Sequence, residues 1–388
     1  MTSRQLMSIL CTAALALGLN PGLRAAPCPA DWTPAFSVDP VSYPFTHQCI
    51  TLSEGTVHYF DEQATDDSLA TVLMLHGNPT WSYLYRDIAQ GLHDAGYRVV
   101  APDLYGFGLS DKPPLADFAY RPRDHAGVVA AFVTALDLRE VILVVQDWGA
   151  PVGISAAAGA PDRYGAFLIM NTFLQPMSFV NPGVSHLGVD FSADNIVNQE
   201  DWRSSGRMPR DVGISLGSLY GEVGSEEFMA VRDAYWGPFL DPDTELPLSP
   251  EIVAPTNVFA QNLLLSAPLL ARSRAALRNQ FSDRPMYLLW GHDDRMWGAL
   301  RCDVDADPAC PLESTCRFRD GARYCIDSND AFIYPQVDNV REAWDGGNIV
   351  GEIISREGIH FVQEVEQEAI IEAVQQLQSA MTRDQPDH

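Results

Sequence analysis

The feature that most limits how this chain can fold is the alternation of short apolar runs with longer helical patterns. The apolar runs are predicted to be buried strands and occupy residues 71–75, 98–101, 141–146, 166–170, 286–290 and 348–354. Helical patterns occupy residues 82–95, 124–138, 150–158 and 362–379, and a hairpin at residues 48–52 and 56–61 precedes them all. Strands that are apolar on both faces and alternate with helices are typical of a mostly parallel sheet covered on both sides. The sequence therefore predicts an α/β fold with a doubly wound sheet, whose ligand site lies beyond the carboxyl ends of the strands.

Two segments interrupt this alternation. Residues 173–255 contain several prolines among short helical patterns and no buried strand, so they are predicted to form an inserted helical cap, or lid, over the site. A polar segment at about residues 299–334 carries four cysteines and is predicted to be a second insert. The sheet-forming core is therefore predicted in two parts, residues 26–172 and 256–388.

The first 25 residues are predicted to be a signal peptide. Arg4 gives a positive start, residues 6–19 are apolar, and Pro21 precedes the small residues Ala25 and Ala26. A segment of this kind directs export and is removed afterwards, and it is too short to be a spanning helix. We therefore expect an exported protein, periplasmic or secreted, with no membrane span in its mature form.

Six cysteines follow the predicted cleavage site, and an even number of cysteines in an exported chain predicts disulfides. Spacing favours a bridge between Cys28 and Cys49 and two bridges within a C-terminal group, whose connectivity stays open. That group consists of Cys302, Cys310, Cys316 and Cys325. The close C-x-x-C pairs of zinc sites do not occur in the sequence.

The formal net charge of −26 argues against nucleic acids and anionic membranes as partners, because both bind clustered cations. Asp303, Asp305 and Asp307 alternate as at the start of an EF-hand calcium loop, but that motif needs glycine at its sixth position and glutamate at its twelfth. Pro308 and Ser314 stand there, so a solvated acidic loop is predicted. The sequence predicts no metal ion and no organic cofactor.

An aspartate stands where a catalytic nucleophile is expected. Asp147 directly follows the apolar run at residues 141–146 and is followed by Trp148, Gly149 and the next helical pattern. A strand, a sharp turn and a helix in this order form the nucleophile elbow of α/β-hydrolases, where serine is the usual residue. An aspartate that only caps the helix is the alternative. No G-x-S-x-G motif follows a predicted strand, which argues against an esterase or lipase.

Two other strand ends carry residues that complete a catalytic set. Asn78 lies in the loop after residues 71–75, which supplies one backbone N–H of an oxyanion hole in this fold, and the N–H of Trp148 supplies the second. His360 follows the last predicted strand and stands at the final position of the triad in chain order.

The acid of such a triad lies between the nucleophile and the histidine in chain order. Asp294 follows residues 286–290 and is the preferred candidate, and Asp293 is the second. Either carboxylate could instead stabilise a turn. The other strand end that can host the acid carries Asn171, whose side-chain amide cannot replace a carboxylate.

Four segments together resemble the haloalkane dehalogenases. They are HGNPTWSYLYR at residues 76–86, APDLYGFGLSDKP at residues 101–113, VVQDWGAPVG at residues 144–153 and HFVQE at residues 360–364. The resemblance extends over roughly residues 57–377. It implies hydrolysis of a carbon–halogen bond through a covalent alkyl ester on the nucleophilic aspartate.

The resemblance also implies a role for each matched residue. These are the nucleophile Asp147, the base His360, the acid Asp294 and the halide ligands Asn78 and Trp148. It further implies a third halide ligand, a tryptophan of the cap, for which Trp202 is the best match and Trp236 the second. The sequence departs from the family pattern in its predicted export, in the cysteine-rich insert and at Ile359, where glycine usually precedes the histidine.

The leaving group separates the hydrolase hypotheses. A halide needs only N–H donors, whereas an epoxide oxygen needs a proton donor, typically a tyrosine pair of the cap. Tyr220 and Tyr235 keep an epoxide hydrolase open as an alternative. A cofactor-free oxygenase and a non-catalytic binding protein are also open. The residue after Asp147 is not the arginine of fluoroacetate-type dehalogenases, so the predicted substrate is neutral and apolar.

Overall fold

The computed structural model describes residues 27–29, 32–65, 69–175, 186–294, 302, 315–319, 322–344 and 347–383. Eight strands form one sheet in the order β1-β2-β4-β3-β5-β6-β7-β10, and β8 and β9 form a separate hairpin. The strands are β1 (Gln48–Leu52), β2 (Gly55–Gln63), β3 (Thr71–Leu75), β4 (Arg98–Pro102), β5 (Val141–Gln146), β6 (Tyr164–Met170), β7 (Met286–Gly291), β8 (Thr315–Arg319), β9 (Ala322–Ile326) and β10 (Ile349–Ser355). Strand β2 runs antiparallel to both of its neighbours, β1 and β4, and all other pairs of the large sheet are parallel, so the predicted fold class, an α/β-hydrolase fold, is confirmed.

The central strands are buried on both faces, as their unbroken apolar sequences predict. Every side chain of β3, β5 and β7 is buried. Successive residues point to opposite sides, so Leu73 and Leu75 join one hydrophobic cluster while Val72 and Met74 join the other. In-register parallel pairing then places the carboxyl ends of β3, β5 and β6 side by side.

Helices cover both faces of the sheet and form the cap. The α-helices are α1 (Arg86–Asp94), α2 (Pro122–Ala135), α3 (Gly149–Ala157), α4 (His186–Val197), α5 (Gln199–Ser205), α6 (Arg207–Gly217), α7 (Glu226–Trp236), α8 (Pro250–Leu265), α9 (Ala267–Gln280), α10 (Pro335–Trp344) and α11 (Gln367–Arg383). The segment between β6 and α8 contains α4–α7 and no strand of the sheet among its described residues, which agrees with the predicted helical cap.

Several details differ from the prediction, and they include helices α9 and α10 and strands β8 and β9, which no predicted helical pattern or strand covered. The helical patterns at residues 82–95 and 362–379 each begin with a separate 3-10 turn, at Ser82–Tyr85 and Val362–Glu364, before the α-helix starts. Strand β10 is half-exposed rather than buried, because it is the edge of the sheet and pairs only with β7. The cap boundary placed at residue 255 falls inside the continuous helix α8.

Two disulfides connect described residues. Cys28 is bonded to Cys49, as predicted, and this bond ties the segment before β1 to that strand. Cys302 is bonded to Cys316 at the start of the β8–β9 hairpin. Cys310, the predicted acidic loop at Asp303, Asp305 and Asp307, and the predicted signal peptide lie outside the described residues. No helix in the described part of the chain is both long and apolar enough to cross a membrane.

Candidate active site

The candidate nucleophile lies on a strained turn between β5 and α3. Asp147 has a φ of 50°, in the left-handed region that a non-glycine residue rarely adopts. Helix α3 begins two residues later and approaches β3 so closely that a Cβ at Gly149 would lie 2.2 Å from the Leu75 carbonyl oxygen. Glycine at this position therefore allows the sharp turn, and the turn presents the Asp147 carboxylate beyond the end of the sheet.

Two backbone amides hold that carboxylate. The N–H of Asn78 donates to Asp147 Oδ1 at 2.8 Å, and the N–H of Trp148 also bonds the carboxylate. Gly77 leaves the necessary room, because a Cβ there would lie 2.4 Å from Oδ1. Burial raises the pKa of Asp147, and the two amides and the nearby His360 oppose that rise. These are the two amides that the sequence predicted for an oxyanion hole.

His360 and Asp294 form a hydrogen-bonded pair next to the nucleophile. His360 Nδ1 lies 2.8 Å from Asp294 Oδ2, and His360 Nε2 lies 3.7 Å from Asp147 Oδ2. Burial by itself lowers the pKa of His360, but the charge and hydrogen bond of Asp294, together with the charge of Asp147, raise it above its ordinary value. The structure thus brings the three predicted triad residues together, with Asp294 rather than Asp293 bonded to the imidazole.

Two amide side chains complete this arrangement, and the sequence analysis did not give either of them a role. Asn171 Nδ2 donates to Asp294 Oδ2 at 2.7 Å, while its Oδ1 accepts the N–H of Gly291 at 2.9 Å. Gln146 Nε2 donates to the carbonyl oxygen of His360 at 3.1 Å and lies 3.0 Å from Nε2 of the same residue. Gln146 is the last residue of β5, and Asn171 directly follows the neighbouring strand β6. Their position at strand ends next to the Asp147 turn was the signal that could have identified them.

The triad opens onto a cavity of about 460 Å³ between the sheet and the cap. Its walls are lined mostly by apolar side chains, including Trp148, Trp202, Met208, Val212, Leu263 and Phe361. The exposed side chains of Arg207, Asp211 and Asp293 also contribute to the lining. Such a cavity suits a small apolar molecule with the Asp147 carboxylate at one end.

Asn78 and Trp148 both line this cavity. Asn78 Nδ2 donates to the carbonyl oxygen of Thr256 at 3.1 Å, which fixes the amide and leaves its second N–H for another acceptor. The ring of Trp148 is held edge-on by Phe173 and Phe259. No described residue accepts a hydrogen bond from the Trp148 indole N–H.

Comparison with known proteins places the chain in a family. Residues 70–200 match the alpha/beta hydrolase fold family. The chain is 31% identical over 267 residues to haloalkane dehalogenase 2 of Mycobacterium tuberculosis, covering 67% of this chain and 82% of that protein. This chain belongs to the haloalkane dehalogenase family. It is also 38% identical over 191 residues to the haloalkane dehalogenase of Psychrobacter cryohalolentis, covering 49% of this chain and 56% of that one.

Solved structures of haloalkane dehalogenases share the fold. The structure of DpaA from Paraglaciecola agarilytica NO2 superimposes with a TM-score of 0.64 at 23% identity, covering 91% of this chain and 98% of that one. DbeA from Bradyrhizobium elkani USDA94 superimposes with a TM-score of 0.58 at 22% identity, covering 88% and 100% of the two chains. The fold extends over most of both chains.

The cap tryptophan that the family resemblance implied does not point its N–H at the cavity. Trp202 is buried and lines the cavity, but its indole N–H donates to Asp194 Oδ2 at 2.8 Å, and the Arg207 guanidinium lies 4.7 Å from its ring. The second candidate, Trp236, donates to the carbonyl oxygen of Arg210 and is not part of the cavity wall. The halide role of Trp202 stays a prediction, and it requires the indole N–H to leave the Asp194 carboxylate.

The two cap tyrosines that left an epoxide hydrolase as an alternative function form their hydrogen bonds away from the cavity. The hydroxyls of Tyr220 and Tyr235 both donate to the carboxylate of Glu364. Arg86 forms a bidentate pair with the same carboxylate, with two N–O distances of 2.9 Å. Neither tyrosine lines the cavity with Asp147. This cluster, in which all members but Tyr220 are buried, joins the cap to the core, and its two tyrosine hydroxyls do not face the candidate site.

Proposed function

We propose that this dehalogenase-family protein hydrolyses haloalkanes to an alcohol and a halide ion through an alkyl ester on Asp147. The observation that carries the proposal is the geometry of the Asp147 carboxylate. Its Oδ1 is held by the Asn78 amide, and its Oδ2 lies 3.7 Å from His360 Nε2 at an apolar cavity. An ionised carboxylate needs no base to attack saturated carbon.

In the first step, Asp147 Oδ2 attacks the carbon that bears the halogen. A carbon–oxygen bond forms, the carbon–halogen bond breaks, and the halide leaves with the bonding electron pair. The N–H groups of Asn78 Nδ2 and Trp148 Nε1 are the proposed halide ligands, because both side chains line the cavity next to the carboxylate. These donors keep their protons, which a halide leaving group permits.

In the second step, water hydrolyses the ester. His360 Nε2 takes a proton from a water molecule whose oxygen attacks the Asp147 carboxyl carbon. The amides of Asn78 and Trp148 stabilise the developing oxyanion at Oδ1, each by about 3–4 kcal/mol in comparable sites. Asp294 stabilises the imidazolium, which then returns the proton to the leaving alcohol. The ester bond breaks, and the carboxyl group that forms loses the remaining proton of the water molecule to solvent, which restores the free carboxylate.

The ester itself helps the base to act. Asp147 is one of the two carboxylates that raise the pKa of His360. When Asp147 is esterified it carries no charge, so this contribution disappears and the pKa of His360 falls. The imidazole therefore becomes a neutral base more readily in the intermediate that needs one.

Two features favour this reaction over the alternatives. The hydroxyls of Tyr220 and Tyr235 bond Glu364 outside the cavity, so an epoxide oxygen would find no tyrosine donor there. A binding protein has no need for a hydrogen-bonded His360–Asp294 pair beside a buried aspartate. We also propose that the protein acts after export, because disulfides such as Cys28–Cys49 and Cys302–Cys316 persist in oxidising compartments.

The test is halide release from 1-bromobutane and 1,2-dibromoethane by the oxidised protein, compared with Asp147→Ala. We expect steady release by the wild type and a loss of at least about 10³-fold in the variant. Equal release by both proteins would remove Asp147 from the mechanism. No release by a folded wild type would exclude these substrates, and epoxides would be tested next.

A further inference from the structure

The β8–β9 hairpin and the chain that follows it to Tyr334 pack against the loop that carries Asp294. We call this segment the insert hairpin and residues 291–294 the acid loop. We propose that the insert hairpin positions the catalytic acid through the hydroxyls of Tyr324 and Tyr334. The inference rests on the proposed function, since it assigns the insert a role in that same site.

The two tyrosines bond the two residues that directly precede Asp294. Tyr324 Oη donates to Asp293 Oδ1 at 3.1 Å, and Tyr334 Oη lies 2.6 Å from His292 Nδ1. Burial raises the pKa of Tyr334 to about 12, so its hydroxyl keeps its proton at neutral pH. The insert hairpin thus holds the acid loop at two consecutive residues, His292 and Asp293.

Ring packing supports the same contact. The His292 ring packs against the rings of Tyr324 and Phe332, at centroid distances of 5.1 Å and 4.6 Å, and these two rings also contact each other. Tyr324 is buried although most side chains of β8 are exposed. Strand β9, which carries Tyr324, therefore faces the acid loop, and strand β8 faces solvent.

The insert hairpin also contacts the chain that leads to His360. The guanidinium of Arg356 lies 5.1 Å from the Phe332 ring. The acid loop itself is bonded to this chain, because the His292 N–H donates to Ser355 and the Asp293 N–H donates to Gly358, at 2.8 Å and 3.0 Å. The insert hairpin therefore touches both the acid loop and the chain that leads to His360, and these two segments set the distance between Asp294 and His360.

The Cys302–Cys316 disulfide restricts the hairpin at its base. Cys302 N–H also donates to the Arg323 carbonyl oxygen at 2.9 Å, next to Tyr324. Cross-links of this kind reduce the conformational freedom of the segment that they close. The cysteine-rich insert is a departure from the family pattern, and in this chain it supports, with a disulfide, a loop whose precise position matters to the proposed reaction.

The experiment compares the wild type with Tyr324→Phe, Tyr334→Phe and the double variant, which remove the hydroxyls and keep the rings. Phe318→Ser is the control, because Phe318 lies on the exposed strand of the same hairpin. In single-turnover measurements with 1-bromobutane, we expect ester hydrolysis to fall about tenfold in the double variant, the effect of a lost hydrogen bond to a charged group. Ester formation, which needs no base, should stay within about twofold.

A second measurement does not depend on turnover. The titration of His360 is followed by NMR of ¹⁵N-histidine, with the signal identified by its loss in His360→Gln. The charged groups that face His360 are Asp147 and Asp294, and both raise its pKa. In the double variant, Asp294 should be held less firmly next to His360, and the pKa of His360 should fall. In Phe318→Ser, the pKa of His360 should be unchanged.

An unchanged His360 titration together with unchanged ester hydrolysis would overturn the inference. If the wild type releases no halide, the proposed function fails, and the NMR titration alone still decides whether the hairpin positions Asp294. If the double variant does not fold, the two single variants decide by the same measurements, each with a smaller shift in the same direction.

Discussion

In two histidine–aspartate pairs of the described residues, a ring nitrogen contacts a buried carboxylate at nearly the same distance. His360 Nδ1 lies 2.8 Å from Asp294 Oδ2, and His58 Nδ1 lies 2.9 Å from Asp103 Oδ2. They differ in what the second ring nitrogen meets. His360 Nε2 lies at the cavity, 3.7 Å from the candidate nucleophile, whereas His58 Nε2 is 2.8 Å from His47 Nδ1.

The surroundings of the two aspartates differ as well. Asp103 accepts the N–H groups of Ser82 and Leu109, each at 2.8 Å, and Trp32 stacks over His58 with ring planes 6° apart. Burial alone would raise the pKa of Asp103, but His58 and these hydrogen bonds lower it. The pair therefore joins the segment before β1 to the core. A histidine–aspartate pair can act as a catalytic base only where its second ring nitrogen is within reach of a substrate cavity.

The largest difference between the pairs should appear when each histidine is replaced by glutamine. His360→Gln removes the base but leaves Asp147 able to attack. We expect about one halide ion per protein molecule from 1-bromobutane and then a halt, with a loss of at least about 10³-fold in turnover. Mass spectrometry of the intact protein should show one added butyl group. Continued turnover at the wild-type rate would mean that another base hydrolyses the ester.

Replacement of the aspartates should separate catalysis from stability. Asp294→Asn should reduce turnover by about 10³-fold, because the imidazole loses its orienting and stabilising charge. Asp103→Asn should leave turnover within about twofold and instead lower the free energy of unfolding by about 2–3 kcal/mol, measured in urea. A loss of turnover in Asp103→Asn with normal turnover in Asp294→Asn would show that the pair at Asp103, and not the pair at Asp294, is catalytic.

Replacement of the two tryptophans on the cavity wall should affect the rate of ester formation differently. Trp148→Phe removes an N–H that no described residue accepts, and we expect ester formation to slow by about 10- to 100-fold. Trp202→Phe removes an N–H that already bonds Asp194, so the rate should stay within about threefold. Pre-steady-state halide release measures both. A large loss in Trp202→Phe would show that this tryptophan turns toward the halide during turnover.

Acid should affect the two chemical steps differently. Ester formation needs ionised Asp147, and ester hydrolysis needs neutral His360, whose pKa is raised above 6.5 in the free protein. As the pH falls below the pKa of His360 in the ester intermediate, steady turnover should drop by about tenfold per unit while the first halide is still released. Because esterified Asp147 is uncharged, hydrolysis should lose its rate at a lower pH than the one at which free His360 titrates. Coincident pH profiles would contradict that charge effect.

The smallest effect on activity should come from His58→Gln. His58 bonds Asp103 and His47 far from the cavity lining, so kcat should not change measurably. The loss of these bonds should lower the free energy of unfolding by about 1–3 kcal/mol. Urea unfolding with halide release on the same samples checks both statements. A lower kcat in fully folded protein would connect this second pair to the reaction.

Patterns that depend on neighbours in the chain were readable from the sequence. The apolar runs predicted β3 and β5 within the bounds that the structure shows, because buried parallel strands require unbroken apolar residues. Asp147 and His360 were identifiable because both follow strands at positions of known chemical meaning. Cys28 and Cys49 were paired correctly because few residues separate them.

Contacts between distant segments were not readable in this way. Trp202 matched a cap tryptophan in sequence, but Asp194 accepts its N–H once α4 and α5 have packed. Nothing local in Gln146 or Asn171 indicates a contact with His360 or Asp294, because the partners of an amide are chosen by the strand order of the sheet.

By itself, the sequence determined the strand–helix alternation that builds the central sheet, the α/β class and the residue types at the strand ends, since periodicity and turn chemistry are local properties. Only the tertiary structure decided which donors reach which acceptors. It separated a histidine–aspartate pair that faces a cavity from one that faces another histidine, and it placed Tyr324 and Tyr334 against the acid loop. The physical reason is that a hydrogen bond depends on distances of a few tenths of an ångström, and these are set by the packing of the whole chain.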